Sequence, residues 1–170
     1  MPIYARKKET EFSPAPEGLW PAVCVDVVDL GIVQTPFGPQ EKIQIRWQLE
    51  EKDPKTGKRY LIVQKYTPSL HEKSKLRPML EAWRGKKFNK EEERQFDIEK
   101  LLGVNCQLQI IHNIKDEGQV YANVQAVVPA AKNALKLRVE DYVRVIERAK
   151  QEEYERNPDG NSNGDEYVPF

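Results

Sequence analysis

Lys42-Ile43-Gln44-Ile45-Arg46-Trp47-Gln48-Leu49-Glu50 alternates without a fault. Ile43, Ile45, Trp47 and Leu49 fall on one side of an extended chain, and Lys42, Gln44, Arg46 and Gln48 on the other. Successive side chains of a strand point to opposite faces, so the stretch predicts a β-strand with one buried and one solvated face. Such a strand needs partners to be stable, and the flanking sequence supplies them.

Upstream, Gly18–Leu30 carries the same period, with Val23, Val25 and Val27 alternating with Cys24, Asp26 and Val28. Thr35-Pro36-Phe37-Gly38-Pro39 between the two reads as a loop, because two prolines and a glycine interrupt a ladder. Downstream, Asp53-Pro54-Lys55-Thr56-Gly57 has turn chemistry. Lys58–Tyr66 then gives a third strand, with Arg59, Leu61, Val63 and Lys65 on one face and Tyr60, Ile62, Gln64 and Tyr66 on the other. A fourth begins at Val104, where Cys106, Leu108 and Ile110 alternate with Gln107, Gln109 and Ile111. After the turn Lys115-Asp116-Glu117-Gly118 comes a fifth, Gln119–Val128, with Val120, Ala122, Val124 and Ala126 inward and Tyr121, Asn123 and Gln125 outward; Pro129 ends it.

The period changes between the third and fourth strands. Leu76, Met79, Leu80 and Trp83 have helical spacing, Ser74 can cap them, Pro78 is tolerated only in the first turn, and Gly85 can end the helix. Asn89 and Asp97 predict caps of two short helical turns, the second closed by Gly103. Leu137–Arg156 reads as a C-terminal helix whose stripe of Leu135, Val139, Tyr142, Ile146 and Ala149 packs on the body or pairs with a second copy.

Three strands, a helical segment and two more strands define a mainly β (α+β) chain. The expected fold is a five-stranded OB-fold barrel with a helical insertion between strands 3 and 4, plugged at one end by Leu76, Leu80 and Trp83. A small sandwich or an SH3-like barrel with an inserted helix is the alternative. The expected parts are an N-terminal arm at 1–17, an OB-fold domain at 18–130, a C-terminal helix at 131–156 and a flexible acidic tail at 157–170. The arm carries Arg6, Lys7 and Lys8, with Tyr4 or Phe12 to anchor it on the body.

The 170 residues are 39% hydrophobic, enough for one modest core. No apolar run approaches the ~20 residues of a membrane span, and the N-terminus has no signal-peptide centre. Cys24 and Cys106 read as buried free thiols of a reducing compartment, so the expected location is the cytoplasm. The formal net charge of zero hides an asymmetry: residues 151–170 hold six acidic residues against Arg156 alone, leaving 26 basic and 21 acidic residues in 1–150. A basic body with an acidic tail is the pattern of a nucleic-acid binder.

Catalysis is not expected. His71 and His112 have no nucleophile partner, no Gly-rich phosphate loop follows a strand, and no carboxylate pair stands out. Cys24, Cys106, His71 and His112 lack the close pair spacing of a zinc site, so neither metal nor cofactor is expected. Single-strand binding needs flat rings to stack bases and cations to follow phosphates. Phe37, Lys42, Arg46, Tyr60, Tyr66, His112, Lys115 and Tyr121 are the candidates, placed on the faces and loops that OB-folds use. Arg84, Lys86 and Lys87 could extend the phosphate track.

Asn157-Pro158-Asp159-Gly160-Asn161-Ser162-Asn163-Gly164 leads to Asp165-Glu166-Tyr167-Val168-Pro169-Phe170. This tip resembles that of bacterial single-stranded DNA-binding proteins, where acidic residues precede Ile-Pro-Phe. The resemblance implies that Phe170 enters a basic-rimmed apolar pocket on a replication or recombination protein, with Asp165 and Glu166 steering and Tyr167, Val168 and Pro169 completing the tip. The stretch from Tyr66 to Ser74, continuing to Trp83-Arg84-Gly85, is similar to uncharacterised proteins of phage replication regions, which implies a host cytoplasm if phage-encoded. The block from 69 to 103 is longer than in the bacterial family and the linker shorter, so a tetramer is not implied; a homo-oligomer stays open. An OB-like protein-interaction module and an RNA binder are the alternative functions.

Overall fold

The computed structural model describes residues 14–115 and 118–156. They form two units, one ending at Glu140 and one beginning at Asp141, and each is treated by itself. The first unit contains β1 (Gly18–Thr35), β2 (Gly38–Lys52), β3 (Arg59–Tyr66), α1 (Leu76–Arg84), α2 (Lys90–Arg94), a 3₁₀ turn (Ile98–Leu101), β4 (Asn105–Ile114) and β5 (Val120–Pro129). The second contains α3 (Val145–Arg156). No helix among the described residues is long and apolar enough to cross a membrane.

The strands form one antiparallel sheet in the order β3-β2-β1-β4-β5. Every neighbouring pair is antiparallel, so the two edge strands, β3 and β5, run in the same direction. They face each other across two clefts, and among the described residues no ladder joins them. The expected barrel is therefore not closed by hydrogen bonds.

The alternation that opens the sequence sets the core. Ile45, Trp47 and Leu49 are fully buried and Ile43 nearly so. Ala22 and Cys24 of β1, Ile62 and Tyr66 of β3, Cys106, Leu108 and Ile110 of β4 and Val127 of β5 join them. Both cysteines are free and buried. Helix α1 adds Leu76, Leu80 and Trp83, and its Trp83 ring lies 5.9 Å from that of Trp47. Burying each large side chain contributes about 1.5–3 kcal/mol, so α1 is held by its apolar face. Its C-terminal end follows the sequence, with Gly85, at φ 71°, donating to the Glu81 carbonyl; at the other end the N-cap is Lys75, without a side-chain cap bond, and Ser74 one residue earlier accepts the Arg77 N–H at 3.4 Å. Asn89 and Glu92 form a reciprocal capping box on α2, and Asp97 caps the 3₁₀ turn.

Four expectations change. The segment Thr35–Pro39 is not a loop. Pro36 and Phe37 form a two-residue turn between β1 and β2, which makes Thr35–Gly38 the bonded pair. Pro39 then sits opposite Gln34 at the alternate position, where an antiparallel ladder asks for no N–H. The inward set of β5 also shifts. Gln125 is a bulge residue, because Gln109 pairs with Ala126 but Ile110 with Val124, so the buried residue beyond it is Val127 and not Ala126. Val25 and Leu30 are surplus in β1 for the same reason.

The third change concerns the faces of β3. Trp47 pairs with Ile62, Ile45 with Gln64 and Ile43 with Tyr66, which puts Tyr60, Ile62, Gln64 and Tyr66 on the inner side. The fourth is the C-terminal helix, which begins at Val145 and not near 137. Asp141, at φ 49°, cannot continue a helix. Before it the Leu137 and Glu140 backbones bond to side chains of the sheet, so Leu135 and Val139 share no helical stripe with Ile146 and Ala149.

Those bonds make residues 137–140 a strap. The Asn105 side chain accepts from Leu137 N at 2.7 Å and donates to Leu137 O at 3.1 Å. Gln48 accepts from Glu140 N at 2.9 Å and donates to Glu140 O at 2.5 Å. Each amide thus imitates a backbone partner. Val23 pairs with Asn105 on one side and Gln48 on the other, and it is fully buried beneath the strap's path. Arg59 and Lys52 close the far end, with the Arg59 Nε 3.0 Å and the Lys52 Nζ 3.5 Å from the Glu140 carboxylate.

Candidate nucleic-acid interface

Register fixes what faces solvent on β2 and β3. Gln44 pairs with Lys65, Arg46 with Val63 and Gln48 with Leu61, all opposite to the core side. Lys42 shares that side, and its Nζ donates to Thr67 Oγ1 at 2.8 Å. The Arg46 guanidinium is steadied by two bonds to Gln44 Oε1, at 3.0 and 2.7 Å. Leu61 and Val63 are 42% and 41% exposed. The outer surface therefore carries Lys42, Arg46 and Lys65 around a short apolar strip.

The rings expected on this face are elsewhere. Tyr66 is buried, and burial pushes its phenol up to about 12. Tyr60 packs against the core. Neither stands beside Lys42 and Arg46. Alternation alone leaves the relative phase of two strands open, but composition held the signal. The Tyr60-Ile62-Tyr66 side of β3 is the more apolar one, and the side with Arg59 and Lys65 is the one to expose. Lys65, Leu61 and Val63 were missed for that reason.

Phe37 is 90% exposed at the tip of the β1–β2 ribbon, with Ile32 also exposed along it. Lys115 and Tyr121 come together at the β4–β5 turn, the ammonium 4.5 Å from the ring centroid. Tyr121 also donates to Gln119 Oε1 at 2.8 Å. It pairs with Asn113, beyond the β4 residues that pair with the start of β1, whereas Phe37 lies past the end of β1. The structure does not bring these two rings together along β1.

His112 is half-buried, and its surroundings are structural. Its Nε2 lies 2.6 Å from the Ala15 carbonyl oxygen, and its backbone N–H donates to Glu17 Oε1 at 2.8 Å. Arg84 is likewise engaged, at 2.6 Å from Glu92 and 4.5 Å from the Phe88 ring centroid. The Arg84 hydrogen bond holds the Glu92 carboxyl below its usual range, helped by the Asn89 backbone. Cys106 is pushed up by burial, with Cys24 nearby adding to the effect. Among the described residues no group of three or more His, Cys, Asp or Glu is placed to hold a metal. The tip residues Asp165–Phe170 and the arm residues 1–13 lie outside the described residues.

Two clefts lie between the edge strands. One, of about 500 Å³, is lined by Arg59–Val63 of β3, Tyr121–Asn123 of β5, and Ala15. The other, about 450 Å³, lies further along the same strands, between Gln64, Tyr66, the Met79 side of α1 and Val124–Val128. A scan against protein-family models and a search of curated proteins both find nothing that matches this chain.

Proposed function

We propose that the chain is a sequence-nonspecific single-stranded DNA-binding protein of OB type, acting in DNA replication or recombination, phage-encoded by its resemblance. In this reading its sheet is an OB barrel with an open β3–β5 seam. Its tip, Asp165 to Phe170, recruits partner proteins. The supporting observation is the outer face of β2 and β3, where Lys42, Arg46 and Lys65 surround half-exposed Leu61 and Val63. Cations there follow phosphates, while Phe37 and the Lys115–Tyr121 pair offer rings to unstacked bases at the two ends.

The test is fluorescence anisotropy of labelled oligo-dT, duplex DNA and RNA across a salt series. Intrinsic tryptophan quenching is a poor choice, since Trp47 and Trp83 are buried. The expected result is a preference for dT with affinity falling steeply as salt rises, and a slope reduced by roughly 0.7 for each of Lys42 and Lys65 replaced by Ala. Equal affinity for duplex would refute the reading, and preference for RNA would move it to the other polymer. The exposed Ile32 and Phe37 favour a second reading, an OB-like protein-interaction module, which predicts no salt-dependent binding to any of the three.

A further inference from the structure

The strap lies on the outer side of the sheet, the side that carries the cations of β2 and β3. Arg46 pairs with Val63 and Gln48 with Leu61, and the Gln48 amide holds the Glu140 backbone. By alternation Arg59 shares the outer side of β3 with Leu61 and Val63, and its guanidinium donates to the Arg138 carbonyl at 2.7 Å. Residues 138–140 therefore form a rim at one end of the exposed Leu61–Val63 strip. The opposite end is closed by Lys42 and Thr67, whose side chains meet at 2.8 Å.

Composition makes this rim cationic. Between Glu117 and Glu140 the chain carries Lys132, Lys136 and Arg138 and no acidic residue, although its 27 basic and 27 acidic residues balance overall. All three are exposed. Their backbone is already placed: Asn105, Gln48 and Arg59 hold residues 137–140, and a turn closed by the Ala134 N–H on the Ala131 carbonyl, at 3.0 Å, leads into them. Little order then has to be gained when an anion binds. The neighbouring carboxylates leave these cations their charge. Glu140 lies 3.0 Å from the Arg59 Nε and 3.5 Å from the Lys52 Nζ. Asp26, which pairs with Arg46, is 1% exposed. The exposed Glu50 comes after Gln48 on β2, on the far side of the strap from Arg46.

We propose that residues 132–138 form one bank of the single-strand groove, with Lys132, Lys136 and Arg138 on phosphates and Leu61 and Val63 on its floor. The inference rests on the single-strand reading above and extends it. Lys42, Arg46 and Lys65 give that floor cations along β2 and β3, and the strap adds a second row across its end. A groove with cations on two sides tracks a backbone rather than a single phosphate.

Salt titration of oligo-dT binding by the full chain tests it. Lys136→Ala and Arg138→Ala should each lower the slope of log affinity against log salt by about 0.7, as Lys42→Ala and Lys65→Ala do. The strap should stay docked in both, because its bonds run through the backbone of Leu137, Arg138 and Glu140, and slow exchange of the Leu137 and Glu140 amides checks this. Lys90→Ala should leave the slope unchanged, since Glu92 and Glu93 tie α2 to Arg84 and Arg77 of the core-side helix α1. A slope reduced by the Lys42 and Lys65 variants and by neither strap variant would overturn this inference and leave the single-strand reading standing. An equal loss in Lys90→Ala would also overturn it, as an effect of net charge alone. Absence of salt-dependent dT binding in the unaltered chain would overturn both.

Discussion

Gln48→Met tests the strap. Gln48 is 6% exposed, and its amide supplies both partners of the Glu140 backbone, at 2.9 and 2.5 Å. Methionine keeps the length and loses both bonds. A net hydrogen bond contributes about 1 kcal/mol, and leaving a buried donor or acceptor unpaired costs about 1–3 kcal/mol. With two such groups the loss is at most about 2–6 kcal/mol if the strap stays down, and Glu140 being an exposed residue puts it at the low end. If it lifts, water satisfies those groups, and the loss is capped at the strap's own docking energy. The Glu140 carboxylate is 43% exposed, so its pairing with Arg59 and Lys52 contributes little to hold it. Urea unfolding gives the total. Exchange of the Leu137 and Glu140 amides separates the two cases, and both should become fast in the variant. Asn105→Leu should act on the same strap, so the double variant should cost less than the sum of the singles. A loss below about 0.5 kcal/mol with both amides still protected would refute the amide-ladder argument.

Three further outcomes follow from the same geometry. The Tyr66 phenol is raised by burial to about 12, so the folded chain holds a proton that the unfolded chain releases near 10. Its stabilisation is complete below pH 10 and declines as pH rises from 10 to 12, by about 2–3 kcal/mol, and Tyr66→Phe should flatten that decline in alkaline unfolding curves. Trp83→Ala removes a buried ring against Trp47 and should cost about 3–5 kcal/mol in urea, with no change in the salt slope of any DNA binding. Phe37→Ala should leave stability within about 0.5 kcal/mol, because the ring is 90% exposed, while weakening dT binding by about 1–3 kcal/mol.

Much of this architecture can be read from one-dimensional patterns. The inner row Ile43, Ile45, Trp47 and Leu49, the helix of Leu76, Leu80 and Trp83, and the caps at Asn89 and Asp97 all follow from local chemistry, and all are present. What local chemistry cannot carry is the relation between segments. The side of β3 that meets Trp47 is decided by register, and so Tyr60 and Tyr66 turned inward while Lys65 turned out. The bulges at Val25, Leu30 and Gln125 depend on how three strands bend together. Residues 137–140 carry helix-forming composition, yet two side-chain amides more than thirty positions away claim their backbone. Among the candidate residues, Phe37 and the Lys115–Tyr121 pair stand at turn-adjacent positions, where exposure follows from the turn itself; His112 was claimed by a chain segment from the opposite end of the sequence.

The three bulges have a consequence for descent. Val25, Leu30 and Gln125 are each a supernumerary position: with any one of them excised, every later side chain of its strand keeps its present orientation and only the local curvature is lost. A straighter cousin would carry a single-position gap at one of these sites and an unbroken alternation around it, and aligning the two without that gap would set core against solvent along the rest of the strand.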